Sequence, residues 1–248
     1  MQDTQTLSEA IQLIRNSKYL TAFTGAGISV ESGIPPFRGE HGIWSKYDPG
    51  ILDIDRYQTF PEETWSVIKE LFYNYFGGAK PNAAHYFLAY LEKVGILKSV
   101  ITQNIDNLHQ EAGNTKVIEY HGNSKWLVCS VCGDRIPVDE KVIKGNVPHC
   151  SKDNGLMKPD FVFFGEAIPE RAATRANREA ERSDLLLVIG TTGEVMPASV
   201  VPRMAKNSGS RIIEINVHET VYTQSLTDLF LQGMAGEVCT ELQSEFTQ

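Results

Sequence analysis

Tyr19-Leu-Thr-Ala-Phe-Thr24, followed at once by Gly25-Ala-Gly27, is the stretch that decides the fold. A short apolar run that is broken by glycines is typical of a buried strand ending in a tight turn. Such glycines let backbone amides approach a pyrophosphate, and the N-terminus of a following helix adds its positive end. The third glycine is Gly33, so the spacing is G-x-G-x5-G and departs from the usual dinucleotide fingerprint. A tight turn in any α/β protein is an equally good interpretation of these glycines alone.

Four further apolar runs also end in glycine or polar residues, namely 97–102, 117–120, 185–189 and 211–215. Helical patterns lie between and around the runs, at 6–14, 84–91, 197–208 and 235–246. Thr6-Leu-Ser-Glu9 predicts a capping box at the first helix, and Pro202 predicts a kink or a break in the third. Apolar strands that alternate with helices indicate an α/β fold with a Rossmann-like parallel sheet covered on both faces. Ligands of such sheets bind at the carboxyl ends of the strands.

Two stretches do not follow this alternation. Residues 35–80 contain aromatic side chains and a predicted helix at 61–76, and residues 123–158 contain three cysteines and turn-forming residues. We interpret both as insertions that form a small lobe, a helical module at 37–80 and a zinc-ribbon-like module at 123–158. The nucleotide-binding large lobe then comprises residues 1–36, 81–122 and 159–248.

The composition excludes several classes of protein. Of the 248 residues, 42% are hydrophobic and 22% are charged, which rules out a disordered or fibrous chain. No apolar run approaches the roughly 18 to 20 residues that span a bilayer, and no secretory signal is recognisable at the start. We therefore expect a cytoplasmic protein without a membrane partner, and a monomer by default. The net charge of −8 argues against nucleic acid as a partner.

The cysteines predict a structural metal site. Cys129-x2-Cys132-x17-Cys150 has the spacing of a zinc ribbon, whereas Cys239 lies in the last helical pattern and is expected in the core. Asp153 stands at the fourth corner, and a carboxylate oxygen can bind zinc. His149 is a less favoured ligand, because it would point away if its neighbour Cys150 binds. The alternative is a weak or absent metal, with packing holding the loop.

Seven short motifs follow one another from about residue 20 to residue 240. They are Gly25-Ala-Gly-Ile-Ser-Val-Glu-Ser-Gly-Ile-Pro-Pro-Phe-Arg-Gly39, Thr102-Gln-Asn-Ile-Asp106, His121-Gly-Asn123, the Cys129-x2-Cys132 pair, Phe163-Phe-Gly-Glu166, Gly190-Thr-Thr192 and Glu214-Ile-Asn216. In this order they resemble the sirtuin family of NAD-dependent protein lysine deacylases, in its bacterial or archaeal form. The family's usual fourth metal ligand is a cysteine where this chain has Asp153. In the motif Gly190-Thr-Thr192, the family usually has a serine where this chain has Thr192.

The resemblance implies an NAD site along the strand ends. The pyrophosphate would lie on the glycine turn, the nicotinamide half on the second motif, and the adenosine half on the last two motifs. The implied cofactor-binding residues are Gly25, Ala26, Gly27, Phe37, Arg38, Gln103, Asn104, Ile105, Asp106, Gly190, Thr191, Thr192 and Asn216. From the residues alone, Asn104 and Asp106 could equally cap the next short helix.

The resemblance also implies which residues act in the reaction. His121 would be the general base, with Asn104 and Asp106 as its catalytic partners, and an imidazole with an ordinary pKa of about 6.5 suits that role. The products would be free lysine, nicotinamide and O-acyl-ADP-ribose. An ADP-ribosyltransferase on the same fold and a non-enzymatic NAD-sensing protein remain as alternatives.

Two segments are similar to those with which the family pairs an extended acyl-lysine peptide or protein substrate. They comprise Val162, Phe163, Phe164, Gly165 and Glu166 on one side, and Gly193, Glu194 and Val195 on the other. The apolar run 161–164 could equally be buried core. Relatives that prefer acidic acyl groups carry a tyrosine and an arginine in the helix at 61–76, where this chain has only Lys69 as a cation. We therefore predict neutral acyl groups, with acetyl first.

Overall fold

Six parallel strands form the main sheet of the computed structural model, which describes residues 4–37, 42–73 and 78–246. The strands are β1 Leu20–Thr24, β2 Leu97–Thr102, β3 Val117–Glu119, β7 Leu185–Ile189, β8 Arg211–Asn216 and β9 Leu229–Gln232. Their order across the sheet is β3-β2-β1-β7-β8-β9, so the direction in which the chain adds strands reverses between β1 and β7. Open parallel sheets bind their ligands at such a switch point.

Helices cover both faces of this sheet. They are α1 Thr4–Asn16, α4 Ala83–Lys93, α5 Leu108–Ala112, α7 Glu170–Arg182, α8 Val200–Asn207 and α9 Ala235–Phe246. Neighbouring side chains of a strand point to opposite faces, so Ala22 packs with α1, α4 and α9 whereas Phe23 packs with α7 and α8. The predicted α/β fold with helices on both faces is confirmed.

Three details differ from the sequence pattern. Helix α1 begins at Thr4, so Thr6 lies inside the helix and the predicted capping box is wrong. Helix α8 begins only at Val200, which puts Pro202 in the first turn, where a backbone N–H has no partner within the helix. The predicted kink at Pro202 is therefore wrong. Strand β9 is an additional element that the sequence pattern did not indicate.

The small lobe has its own sheet and its own core. Strands β4 Gly122–Cys129, β5 Arg135–Pro137 and β6 Met157–Phe161 form an antiparallel sheet in the order β5-β4-β6. Its helices are α2 Ile54–Thr59, α3 Pro61–Ile68 with a π-helical continuation Lys69–Tyr73, and α6 Glu140–Lys144. Trp65, Phe72 and Leu127 are buried together in this lobe. The predicted helix at 61–76 thus holds as far as Tyr73, and its remaining positions lie outside the described residues.

Two short 3-10 helices, Ile43–Ser45 and Pro49–Leu52, connect the large lobe to α2. A third, Ala26–Ser32, follows β1 directly. No helix in the described ranges is both long enough and apolar enough to cross a membrane.

Candidate active site

A cavity of about 580 Å³ opens at the carboxyl ends of β1 and β7, between the main sheet and the small lobe. The turn Gly25–Gly27 and Gly190 form one wall, and residues that follow β2 and β3 form its floor. Side chains of the small lobe close the opposite side. Most of the residues that the sequence pattern grouped together therefore face one enclosed space.

Close backbone packing explains the glycines of the cavity wall. Gly25 N donates to Ile189 O at 3.0 Å, and Gly27 N donates to Gly190 O at 2.8 Å, so the turn after β1 lies directly on the turn after β7. A Cβ on Gly27 would lie 2.6 Å from Gly190 Cα. Gly190 itself has a φ of 65°, and a Cβ there would collide with Ile28 N. Only glycine allows this approach, which brings the backbone of the two turns together at the cavity wall.

A buried polar network lies beneath the glycine turn. Ser29 Oγ donates to Asp106 Oδ2 at 2.7 Å, and Asn104 Nδ2 donates to Gly25 O at 3.1 Å and to Ser29 Oγ at 3.2 Å. Asp106 Oδ1 also accepts from Leu108 N, the first residue of α5, at 3.0 Å. The carboxylate of Asp106 therefore binds both the first N–H of α5 and Ser29, which lies next to the glycine turn at 25–27. Burial raises the pKa of this carboxyl above its ordinary value.

His121 lines the cavity with one ring nitrogen already engaged. Its Nδ1 lies 3.1 Å from Gln103 O. A carbonyl oxygen can only accept a hydrogen bond, so Nδ1 must carry the proton and Nε2 must be the unprotonated nitrogen. Burial lowers the pKa of His121 below its ordinary value of 6.5, an effect that the bond to Gln103 partly opposes. The imidazole is therefore neutral at pH 7 and can accept a proton.

The far end of the cavity contains the polar residues predicted for the adenosine half. Asn216 Nδ2 donates to Thr191 O at 3.0 Å, and Gln103 Nε2 donates to Thr191 Oγ1 at 3.1 Å. Thr192 lines the same end. The loop after β8 and the turn after β9 complete this wall with residues that the sequence pattern missed, namely Val217, His218, Glu219, Thr220, Gly233, Met234 and Ala235. The polar residues that follow β8 were a usable signal, because they continue a strand end.

The segment after β6 forms one lip of the cavity. Val162 N donates to His121 O at 2.9 Å, and Phe164 N donates to Leu52 O at 2.9 Å, so the segment joins His121 to the small lobe. Phe163 is buried in the small-lobe core whereas Phe164 is 45% exposed. The core interpretation of this run thus holds for Phe163 and not for Phe164.

Glu166 and its neighbours stiffen this lip. Its carboxylate accepts from Phe163 N at 2.8 Å and pairs with Lys158 Nζ at 2.9 Å. In the second predicted peptide segment, Gly193–Val195, the residue that lines the cavity is Val195, and the next residues, Met196 and Pro197, line it as well.

The end of the cavity nearest the small lobe is apolar. Phe37 and Trp44 contact each other with ring centroids 5.4 Å apart, and Leu52, Phe72 and Ile105 complete the surface. Lysine and arginine are absent from the cavity wall over the ranges that the structure describes. Lys69 lies elsewhere, because its Nζ donates to Gly145 O at 3.0 Å. Arg38, which was predicted to contact NAD, lies outside the described residues.

Three cysteines and an aspartate converge at the outer end of the antiparallel sheet. The ligand atoms of Cys129, Cys132, Cys150 and Asp153 all lie within 4.8 Å of one another. Cys132 Sγ and Cys150 Sγ are 3.7 Å apart, and Cys129 Sγ is 3.4 Å from Asp153 Oδ1. A tetrahedral zinc ion requires S–S separations of about 3.8 Å and S–O separations of about 3.5 Å, given bonds of about 2.3 Å to sulfur and about 2.0 Å to oxygen. The four side chains therefore fit zinc.

The carboxylate of Asp153 is ionised and oriented by a backbone hydrogen bond, as a zinc ligand must be. Gly155 N donates to Asp153 Oδ1 at 2.8 Å and holds the pKa of the carboxyl at about 2, so the side chain is ionised at neutral pH. A Cβ on Gly155 would lie 2.8 Å from Cys129 Sγ, so glycine is needed beside the site. His149 Nδ1 contacts Asn154 O at 3.1 Å instead of the cluster.

A Rossmann-like sheet with a glycine cradle and a second lobe that closes over it defines a nucleotide-binding protein with two lobes. The Sir2 family model matches residues 25–197. The chain belongs to the Sir2 family.

Relatives of known name are similar along nearly their whole length. The chain is 43% identical to an NAD-dependent protein deacylase of Thermococcus sibiricus over 243 residues, which cover 95% of this chain and 94% of the relative. It is 44% identical to an NAD-dependent protein deacylase of Pyrococcus abyssi over 236 residues, which cover 93% and 94%.

Solved structures agree with this assignment. A complex of Sir2 with a p53 peptide and NAD+ superimposes with a TM-score of 0.90 at 36% identity, covering 97% of this chain and 98% of that one. A Sir2 homologue in complex with NAD superimposes with the same TM-score at 40% identity, covering 97% and 93%.

Proposed function

We propose that this chain is an NAD-dependent protein lysine deacylase that converts an acyl-lysine peptide or protein and NAD to lysine, nicotinamide and O-acyl-ADP-ribose. The observation that carries the proposal is the shared cavity. Its wall joins a glycine cradle that suits a pyrophosphate, a histidine with a free Nε2, and an apolar end that suits an acyl chain. The names of the similar proteins support the same activity.

The polar residues of the cavity have separate roles in this proposal. Bound NAD supplies an electrophilic sugar carbon whose leaving group is nicotinamide. The glycine turn at 25–27 holds the pyrophosphate at the start of the 3-10 helix Ala26–Ser32, with Gly190, Thr191, Thr192 and Asn216 on the adenosine side. Gln103, Asn104, Ile105 and Asp106 hold the nicotinamide half, and Phe37 covers it; Arg38 stays a predicted NAD contact. Asn104 lies at the centre of the buried network, so its amide is presented in a fixed orientation.

His121 is the general base of the proposed reaction. Its Nε2 is the nitrogen that can take a proton from a ribose hydroxyl, because Nδ1 is occupied by Gln103 O. Asp106 acts through Ser29 and α5 and keeps the glycine turn in place. A buried network of this kind positions the reacting groups before the substrate binds.

The peptide substrate lies between two backbone segments, Val162–Glu166 and Gly193–Val195, in an extended conformation. Main-chain hydrogen bonds to such segments tolerate many sequences. The lip is fixed by the bonds of Val162 to His121 and of Phe164 to Leu52, which supports a firm edge for strand addition.

We further propose that the acyl group is neutral, with acetyl preferred. The apolar end of the cavity offers no cation among the described residues, and Lys69 is engaged at Gly145. A carboxylate buried there would lack a partner at a cost of several kcal/mol, on the order of a buried unpaired charge.

Cys129, Cys132, Cys150 and Asp153 would hold a structural Zn²⁺ in this proposal. The site is separated from the cavity, since none of its ligands lines the described cavity wall. Zinc there would join β4 to the loop at 150–155 and stabilise the small lobe.

The same proposal retains the division into a large lobe at 1–36, 81–122 and 159–248 and a small lobe at 37–80 and 123–158. The separate cores of the two sheets support two lobes, and the core of the small lobe also includes Phe161 and Phe163, beyond the boundary at 158. We also retain the expectation of a monomer, which light scattering at two concentrations tests.

One assay tests the activity directly. The protein is incubated with NAD and an acetyl-lysine peptide, and nicotinamide and free lysine are measured by mass spectrometry. We expect both products in equal amounts, and no lysine when NAD is omitted. Nicotinamide with an ADP-ribosylated peptide would indicate the transferase instead. The absence of both nicotinamide and free lysine would refute an enzymatic role.

His121→Ala provides the matched control. We expect it to abolish turnover while calorimetry still detects NAD binding, because the glycine cradle remains. Near-normal turnover would contradict the base assignment. A succinyl-lysine peptide that is cleaved faster than its acetyl counterpart would contradict the neutral acyl pocket.

A further inference from the structure

Glu214, in the middle of β8, is completely buried and is bound by three threonine hydroxyls. Thr220 Oγ1 donates to Glu214 Oε1 at 2.6 Å, and Oε2 accepts from Thr223 Oγ1 at 2.7 Å and from Thr227 Oγ1 at 2.6 Å. All three donors come from one loop, residues 217–228, which leaves the end of β8 and returns as β9. The carboxylate and this loop therefore depend on each other for their hydrogen bonds.

No cation pairs with Glu214 in the part of the chain that the structure describes. A buried carboxylate without partners is strongly destabilising, whereas hydrogen bonds to an ionised group are short and strong. Three hydroxyls at 2.6–2.7 Å meet this need. The middle of the loop is thus held to the sheet by one central acceptor, whereas the backbone bond from Asp228 N to Ile212 O at 2.9 Å fixes the end of the loop next to β9.

The start of the same loop forms the adenosine wall of the cavity. Val217, His218, Glu219 and Thr220 line the cavity next to Asn216, which is two residues beyond Glu214 on the same strand. Thr220 belongs to both features, because it lines the cavity and donates to the carboxylate.

Tyr222 connects the loop to the other substrate segment. Thr220 Oγ1 accepts from Tyr222 N at 3.0 Å, and the buried Tyr222 donates from its hydroxyl to Ser199 O at 3.2 Å. A Cβ on Gly193 would lie 2.7 Å from Tyr222 Cζ, so the ring supports the segment Gly193–Val195 directly. A displacement of Thr220 would therefore reach both the cavity wall and this segment.

We propose that Glu214 is a positioning residue for NAD, which fixes the adenosine wall by holding the threonines of the loop at 217–228. The proposal rests on the proposed function, because it concerns the affinity of the same cavity for NAD. Glu214 does not itself line the cavity, so it acts only through the loop.

The test compares Glu214→Gln with a matched variant, Glu179→Gln. Glu179 is also a buried glutamate, and it accepts from Tyr19 Oη at 2.8 Å and from Ser99 Oγ at 3.2 Å, but it lies on α7 away from the cavity. We expect Glu214→Gln to raise KM for NAD by about tenfold, the scale of one lost charge-assisted hydrogen bond, with kcat changed less than about twofold. Glu179→Gln, which also loses ion pairs with Arg178 and Arg182, should lower the thermal midpoint at least as much and leave KM for NAD unchanged.

Isosteric changes within the cluster separate positioning from stability. Thr220→Val and Thr227→Val each remove one hydrogen bond to the same carboxylate, but only Thr220 lines the cavity. We expect Thr220→Val, which also removes the acceptor of Tyr222 N, to lower the thermal midpoint more than Thr227→Val and to raise KM for NAD several-fold more. Equal effects of both on KM would mean that the cluster is only structural.

Calorimetric titration with NAD alone measures NAD affinity independently of deacylation, so the positioning role and the proposed activity can fail separately. If the wild-type protein binds NAD but does not deacylate the peptide, the proposed function is refuted. The positioning role can then still be measured as weaker NAD binding in Glu214→Gln. Unchanged NAD affinity in that variant would overturn the positioning role while deacylation stands. Wild-type protein that binds no NAD would overturn both.

Discussion

Two histidines buried under the catalytic strand ends should make the fold sensitive to acid. His85 on α4 and His109 on α5 are almost completely buried, with ring centroids 4.9 Å apart, and His109 Nε2 contacts Thr24 Oγ1 at 2.9 Å. Burial lowers the pKa of His85 from 6.5 to about 4. Burial and the neighbouring His85 also lower the pKa of His109 well below 6.5. Both rings are therefore neutral in the folded protein.

The size of the effect follows from the pKa of His85. In the unfolded chain this histidine takes up a proton near pH 6.5, whereas the folded protein resists protonation until about pH 4. The contribution of neutral His85 to the free energy of unfolding is thus fully present above pH 6.5, and it is lost as the pH falls towards 4. At roughly 1.4 kcal/mol per pH unit, the loss amounts to about 3 kcal/mol, a large part of the 5–15 kcal/mol that stabilises a typical domain. His109 should add to it.

The perturbation is His85→Phe, which keeps an aromatic ring in the site and cannot be protonated. Urea unfolding at pH 7, 6 and 5, followed by circular dichroism, gives the free energy of unfolding for each protein. We expect the wild type to lose about 2 kcal/mol more than His85→Phe between pH 7 and pH 5. His218→Gln, at an exposed position, serves as a control that removes a histidine and should follow the wild type. Because acid also releases zinc from thiolates, only the difference between variants counts. Parallel losses in wild type and His85→Phe would refute the reasoning.

Three further predictions concern the site. The acidic limb of kcat/KM should lie below pH 6.5, because burial lowers the pKa of His121 and only the neutral ring accepts a proton; a limb above pH 7 in a pH–rate profile would contradict this. Gly27→Ala should weaken NAD binding by about 100-fold in calorimetry with circular dichroism unchanged, because its Cβ would lie 2.6 Å from Gly190 Cα. Asp153→Cys should retain zinc against a chelator longer than the wild type, and Asp153→Ala should lose it at least about tenfold faster; equal release from all three would exclude Asp153 as a ligand.

Strands could be predicted where both faces of the sheet are covered. The runs at 97–102 and 185–189 coincide with β2 and β7, because a strand between two helical layers is apolar throughout. Strand β9 lacks this signal, since only Leu231 of its four residues is fully buried at the edge of the sheet. Pro202 was misinterpreted because its effect depends on where the helix begins, which the pattern around it did not define.

The candidate site could be predicted where residues end a strand or lie within two positions of its end. Gly25, Gln103, His121, Gly190 and Asn216 come together because the ends of parallel strands meet at one edge, whatever the loops do. The rest of the wall depends on how loops fold back over that edge. Trp44, Met196 and Met234 reach the cavity only through tertiary packing, so the sequence carried no local signal for them.

The position of His121 shows how the two lobes are joined at the proposed active site. His121 is the last residue before β4, so the chain passes from the main sheet to the small lobe directly beyond the imidazole. Gly122 makes this passage possible with a φ of 76°, and a Cβ there would collide with Asp160 O. The ring is oriented by Gln103 O at the end of β2, while the backbone carbonyl of His121 accepts from Val162 N in the peptide lip. His121 is therefore fixed by the main sheet through its side chain and by the segment after β6 through its backbone. Because both bonds converge on His121, its Nε2 is held at the junction of the two lobes, where the proposed reaction requires a base.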